Sequence, residues 1–296
     1  MHHFTAIALL SAVTAALAFP SKPLVRESVS QRFSCGSNPS SEKRLQAEEN
    51  FRKIKSDERR TKAKEGPIPV YWNVIYEDLT YEGGLLEPTM INDQIDVLNA
   101  DYAAAGFSFE LQNITYIENA LWFQNMTDET PMEVEMKSTY RHGGANALNI
   151  YTVSFSNSSL LGYAAFPADY TSDPIHDGIV LNWSTLPGGS SADYSMGKTL
   201  THETGHWTGL YHTFQGGCEE EDGGDLVSDT PVQANATEGC PVKRDSCTEQ
   251  IGLDPIHNYM DYSSDVCLTE FSKGQIKRAQ EQMEAYRGVA ASQQYY

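Results

Sequence analysis

Apolar and polar positions divide the chain into elements of two periods. Residues 68–76 form a β-branched and aromatic run after the break at Gly66 and Pro67, which predicts a strand. From 90 to 105, Ile91, Ile95, Leu98 and Tyr102 recur at the spacing of an amphipathic helix, which Gly106 closes. Residues 107–117 alternate as a second strand, 147–155 form a third, and 160–166 and 177–183 are shorter candidates. A helix is predicted around 196–207, with Met196, Leu200, Thr204 and Trp207 as its apolar back, and another at 272–287, with Ile276, Ala279, Met283 and Tyr286 on one side. Strands alternating with helices, then a loop-rich half, predict an α/β (α+β) domain over 66–296. Its two parts, 66–209 and 210–296, would face each other across a cleft.

The residues before 66 differ in kind. Residues 1–18 contain no Lys, Arg, Asp or Glu, are largely apolar, and end in Ala16-Leu17-Ala18, which predicts a signal peptide rather than a buried helix. No later run is long enough to span a bilayer, so the expected product is secreted and extracellular, with no membrane partner. Residues 19–65 hold twelve Lys and Arg against seven acids, which leaves nine basic and 33 acidic residues to the rest of the chain. A basic leader beside an acidic domain suggests electrostatic docking and a prosegment over 19–65; a solvated arm is the plainer alternative. The overall charge of −19 argues against nucleic acid as a partner. Five sequons, at Asn113, Asn125, Asn157, Asn182 and Asn235, agree with a secreted glycoprotein.

Chemistry concentrates in 202–212. His202 and His206 lie four apart, on one face of a helix, where two imidazoles can hold one metal ion. Glu203 adjoins the first ligand and can reach a metal-bound water without itself coordinating, as a general base must. Gly209 lets the backbone leave the helix, and His212 returns as a third ligand. Three imidazoles with one open position make a catalytic zinc site, one Zn2+ per chain. Cys35, an odd thiol far upstream, supplies a fourth ligand that would displace the water, a cysteine switch relieved by cleavage in the 59–64 region; a free or intermolecularly paired thiol is the competing account. Cys218, Cys240, Cys247 and Cys267 permit three pairings. The acidic run 219–222 with Asp225 and Asp229 offers oxygen ligands for Ca2+, though acidic runs are commonly just solvated.

The extended histidine pattern resembles that of the metzincin zinc peptidases, which also keep a methionine turn beneath the metal; 258–262, Asn-Tyr-Met-Asp-Tyr with Met260 at its centre, matches it. Gly217-Cys218, the run 224–231, Gly239-Cys240-Pro241, Asp245-Ser246-Cys247 and 252–262 resemble the pappalysin family, within it the secreted fungal metalloproteinases and the ulilysin type. The likeness covers most of 66–290 and implies a zincin-like fold: a twisted mixed sheet with helices, the zinc helix at the cleft, and a loop-rich, disulfide-bonded C-terminal part. It also implies the pairings Cys218 with Cys247 and Cys240 with Cys267, and a carbonyl-polarising role for Tyr262. In related enzymes the place of 177–183 is the edge strand that pairs with substrate, although an interior strand fits these residues equally. Where ulilysin-type members carry an acid just before the last cysteine, this chain has Val266, which implies a weaker basic preference at S1′, with Asp265 as the fallback acid. The expected activity is zinc-dependent hydrolysis of internal bonds in proteins or peptides by a monomer; an inert scaffold would be expected to have lost Glu203 or a ligand histidine, and all four are present.

Overall fold

The structure, a computed structural model, describes residues 34–56, 63–156, 158–220 and 224–292. The expected signal peptide, the sequon Asn157 and most of the expected cleavage region lie outside the described residues. The described residues make one compact unit.

In chain order the main elements are α1 (Ser41–Ser56), β1 (Lys64–Glu65), β2 (Ile68–Tyr76), α2 (Pro88–Tyr102), β3 (Phe109–Glu118), α3 (Ala120–Asn125) and α4 (Pro131–Tyr140). Then come β4 (Leu148–Val153), β5 (Gly162–Ala164), β6 (Ile179–Asn182), α5 (Lys198–Trp207), α6 (Lys273–Gln282) and β7 (Val289–Ala290). Five strands form one sheet in the order β3-β2-β4-β6-β5, parallel except for β5, while β1 pairs with β7.

Alternation along the strands gives the sheet two buried faces. Val70, Trp72, Val74, Leu148, Ile150, Ile179 and Leu181 point toward α2, α5 and α6, joining Ile91, Leu98, Leu200, Trp207 and Met260 in the larger core. Ile75, Tyr151, Val153 and Val180 face the other way, onto Trp122 and Phe123 of α3 and Met136 of α4. Parallel central strands are covered on both faces, and β4 and β6 are buried at every position, Asn149, Thr152 and Asn182 included.

Of the two readings of 177–183, the structure takes the interior one: the run contributes β6, between β4 and β5, and the sheet ends at β3 on one side and at β5, a three-residue strand antiparallel to β6, on the other. Sheet order follows from long-range pairing, and no local pattern marks it. One expectation needs correction. Met196 is not on the zinc helix: α5 starts at Lys198 after Gly197, whose φ of 86° breaks the helix, and Met196 is exposed. The helix from 273 continues through a π-helical turn, Met283–Arg287, to Gly288.

Candidate active site

α5 lies against the sheet beneath β5 and is buried at every residue after Lys198. His202 donates from Nδ1 to the Tyr259 carbonyl at 2.7 Å, and His206 from Nδ1 to the Leu210 carbonyl at 2.8 Å. A carbonyl oxygen can only accept, so both protons sit on Nδ1 and each Nε2 carries the lone pair that metal ligation uses. After α5 the chain reverses at Gly209, with φ of 98°, and Leu210 N–H returns to the Gly205 carbonyl at 2.9 Å. Arg287 Nε holds the Trp207 carbonyl at 3.0 Å and Arg278 Nε holds that of Gly209 at 2.9 Å, so two arginines cap the helix end.

That turn delivers His212. The Nε2 atoms of His202 and His212 lie 3.2 and 3.0 Å from that of His206. Two nitrogens at zinc-bond length in tetrahedral array stand about 3.3 Å apart, so the three imidazoles fit one zinc ion. Burial pulls the His202 pKa down to about 4 and lowers those of His206 and His212, with the neighbouring imidazoles adding to the effect. All three imidazoles are therefore neutral at physiological pH, the form that metal ligation requires.

Glu203 is fully buried, and burial pushes its pKa up to about 8. Its Oε2 accepts from the Cys35 thiol and from the Ser37 hydroxyl, each at 3.4 Å. Cys35 Sγ and one ring nitrogen from each of the three histidines all lie within 4.8 Å of one another, and the thiol pKa is raised by burial and then by Glu203. The leader backbone reaches this position by adding itself to β5. Leu161 N–H donates to Ser34 O, Gly36 N–H to Gly162 O, and Ala164 N–H to Ser37 Oγ, at 2.9, 2.9 and 2.7 Å. Ser37, which sequence reasoning passed over, thus ties the leader to both the edge strand and Glu203. Past Ala164 the cleft opens into a cavity of about 580 Å3 bounded by Lys43, Asp128, Asp169, Asp173 and His176.

Tyr262 projects from the methionine turn into the same space. Its hydroxyl lies 3.3 Å from His212 Nε2 and bonds with the Cys35 backbone, accepting from N–H at 3.3 Å and donating to the carbonyl at 3.4 Å. Met260 is wholly buried under α5, and its N–H is held by Asn258 Oδ1 at 2.9 Å. Cys218 pairs with Cys247 and Cys240 with Cys267, both with Cα atoms 5.4 Å apart; among the described residues Cys35 is the free cysteine.

The remaining candidates separate. Val266 is exposed, whereas Asp265 is buried, its Oδ2 accepting from the N–H groups of Met196 and Lys198 at 2.7 and 3.3 Å. Asp229 gives its two oxygens to Ser272 Oγ and Gly274 N–H at the start of α6, at 2.7 and 2.8 Å. Asp225 is buried and accepts from Val227 N–H at 3.0 Å, and burial pushes its pKa up to about 7. Asn113, Asn125 and Asn235 are exposed. The sequon at Asn182 is a correction: its side chain is buried, donating to Ser154 O at 3.2 Å and accepting from Ser184 N–H at 3.0 Å, so the folded chain offers no room for a glycan there.

Residues 129–284 match the Peptidase M43 family, described as pregnancy-associated plasma protein-A. An extracellular metalloprotease of Sordaria macrospora is 45% identical over 227 residues, covering 76% of this chain and 77% of its own. One from Podospora anserina is 42% identical over 279 residues, covering 88% and 92%. Among solved structures, a promirolysin mutant of Tannerella forsythia aligns with a TM-score of 0.69 at 27% identity, over 86% of this chain and 95% of its own. Mature mirolysin in complex with a cleaved peptide gives 0.63 at 28%, over 76% and 96%. With this histidine cluster on a mixed α/β metzincin fold, the chain belongs to the M43 peptidases, the pappalysin family, and is a metalloendopeptidase.

Proposed function

We propose that the chain is secreted as a latent precursor and, once freed of its leader, cuts internal peptide bonds of proteins with Glu203 as general base. The observation that carries this is the meeting of three neutral imidazole nitrogens, the Glu203 carboxyl and the Cys35 thiol in one buried space. Zinc bound by His202, His206 and His212 supplies a Lewis acid and brings the pKa of water there to about 7. Glu203 lies beside the ligand nitrogens rather than among them; a zinc cation held there would offset the burial that raises its pKa and keep it ionised, so its carboxylate takes the proton of the attacking water and returns it to the leaving amine. Tyr262, released from the Cys35 backbone, turns its hydroxyl to the oxygen on which negative charge grows. Met260 acts as an apolar floor beneath the histidines and not as a ligand.

β5 supplies the substrate rail. Its free edge bonds the leader main chain at Ser34 and Gly36 and the Ser37 hydroxyl, and a substrate backbone takes over the main-chain bonds whatever its side chains. The cleaved peptide named with mature mirolysin supports such a cleft. The larger share of this chain covered by promirolysin, 86% against 76% for the mature form, supports reading 19–65 as a prosegment ahead of a catalytic domain at 66–296, divided near 209. Secretion behind a signal peptide at 1–18 accords with the extracellular relatives. Val266 at S1′ leaves tolerance for apolar residues after the cut, because the Asp265 carboxylate is already bonded to backbone. Calcium, if bound, is held on the Asp225 side, and the enzyme acts as a monomer glycosylated at exposed sequons.

The test is cleavage of a quenched casein by the matured protein with and without a chelator. Activity that the chelator abolishes and zinc restores supports the reading, and cleavage indifferent to the chelator overturns it. For latency, the Cys35→Ala precursor should cleave at least ~10-fold faster than the wild-type precursor before any leader is removed, since the thiol no longer competes with water. Equal latency in the two precursors would remove Cys35 from the account.

A further inference from the structure

The leader is fastened twice, and the two fastenings are different in kind. Residues 34–37 lie on β5 with the thiol in the site; α1, beginning four residues later, packs on a separate face built from Tyr211, Arg278, Glu281 and Tyr286. α1 is polar along most of its length, yet Arg44 and Phe51 are buried. Arg44 Nη1 donates to the Gly224 carbonyl at 2.7 Å, with its guanidinium 5.7 Å from the Tyr211 ring centre. Glu48 receives the Arg278 guanidinium on both oxygens. Phe51 stacks on Tyr286 with ring centres 6.0 Å apart, and Lys55 pairs with Glu281 at 2.8 Å. Lys43 adds a pair with Asp169 at 3.1 Å.

Resting on the reading of 19–65 as a prosegment, we propose that this face is a docking surface for the leader's own helix, and that it holds the leader after cleavage. The expected cut at 59–64 falls beyond α1, so one cut leaves both fastenings in place and turns a tethered segment into a bound peptide. Activity then depends on dissociation, hence on dilution or on a second cut. The charge of the two partners favours this occupant, because the leader carries a net +5 and the rest of the chain −24. Since α1 borders the cavity beyond Ala164 only through Lys43 and does not enter the space shared by the histidines and Glu203, a peptide of 41–56 alone competes for the helix face without blocking the site. A fragment of the inhibitor is therefore an activator of the nicked complex.

The experiment nicks the full-length, zinc-loaded precursor with trypsin, which has Arg59, Arg60, Lys62 and Lys64 as targets in the cleavage region. Hydrolysis of a short quenched peptide is then followed across serial dilution, and again with synthetic 41–56 added. The expected result is a nicked enzyme that stays inhibited when concentrated, recovers on dilution, and recovers at fixed concentration as 41–56 is raised. The Phe51→Ala precursor should recover at a concentration at least ~10-fold higher, because a buried aromatic contact is lost. An unaided 16-residue helix is marginal in water, so the dilution midpoint of this variant decides the matter if the peptide is inert. Full activity at every concentration right after nicking, or an unchanged midpoint for Phe51→Ala, overturns the proposal while leaving Cys35 latency standing. An intact precursor that is already active sinks the latency reading itself.

Discussion

Gly205 offers a test in which two physical effects oppose each other. It lies on α5 between His202 and His206, and a Cβ added there would come 2.2 Å from Met260 Sδ and 3.1 Å from its Cε. Helix propensity alone predicts that Gly205→Ala stabilises the protein by about 1 kcal/mol. Against that, ordinary contact needs more than a further ångström, and Met260 is wholly buried, so it cannot move into solvent. Overpacking of a filled core costs about 1–3 kcal/mol, and an overlap this deep belongs at the top of that range. The net is a loss of about 2 kcal/mol, or roughly 4–8 °C in Tm for a domain of this size. The strain also has a direction. Pushing Met260 shifts the adjoining Tyr259 carbonyl, which orients His202 through the 2.7 Å bond to Nδ1. Loss of such a partner typically lowers metal affinity about 10- to 100-fold. Thermal unfolding of the metal-free protein and zinc titration with a competing chelator read the two effects. Adding Gly205→Ala to Met260→Ala should cost much less than adding it to the wild type, because the clashing atom is gone. A Gly205→Ala protein with raised Tm and unaltered zinc affinity would refute the reasoning.

Further outcomes follow from buried charge. Arg287→Ala strips the Trp207 carbonyl of its cap and leaves Asp177, 1% exposed, with, among the described residues, only the more distant Arg141 at 3.6 Å as an ion-pair partner. Breaking such a pair costs about 3–5 kcal/mol, and a urea unfolding loss below about 1 kcal/mol would contradict this. For Asp225 the folded pKa of about 7 lies above its ordinary value, so the folded state binds the proton more tightly. The stability this gives is full below about pH 4 and is lost as pH rises through 7. Asp225→Asn should therefore match the wild type near pH 4 and gain Tm over it by pH 8, and a flat difference between the two across that range would show the carboxyl to be unperturbed. Added calcium should raise the wild-type Tm at pH 8 and not that of the variant, if the ion sits on the Asp225 side.

What the sequence made legible is what depends on local period. The helix carrying His202 and His206, the Gly209 reversal to His212, the strand at 68–76 and the stripe from Ile91 to Tyr102 all follow from spacings of a few residues. The place of β5 at the edge was not legible, because a three-residue strand has no period and its position depends on pairing with β6. The burial of Asn182 is hidden for a related reason: a sequon is a local pattern, while the Ser154 carbonyl that holds the side chain is 28 residues away. α1 escaped notice because its contacts are not an apolar stripe. Its one leucine, Leu45, is half exposed, and it binds through Phe51, a buried arginine and ion pairs.

The central claim is that Glu203 moves the proton while the three histidines hold the metal. It is tested most directly by comparing matured wild type and Glu203→Gln at equal zinc content on the same quenched casein. The account predicts that the variant loads zinc like the wild type and that its kcat falls about 10²- to 10⁴-fold, the usual contribution of a general base. A zinc-loaded variant retaining more than about a tenth of the wild-type kcat would contradict it, and the base would have to be sought elsewhere in the cleft.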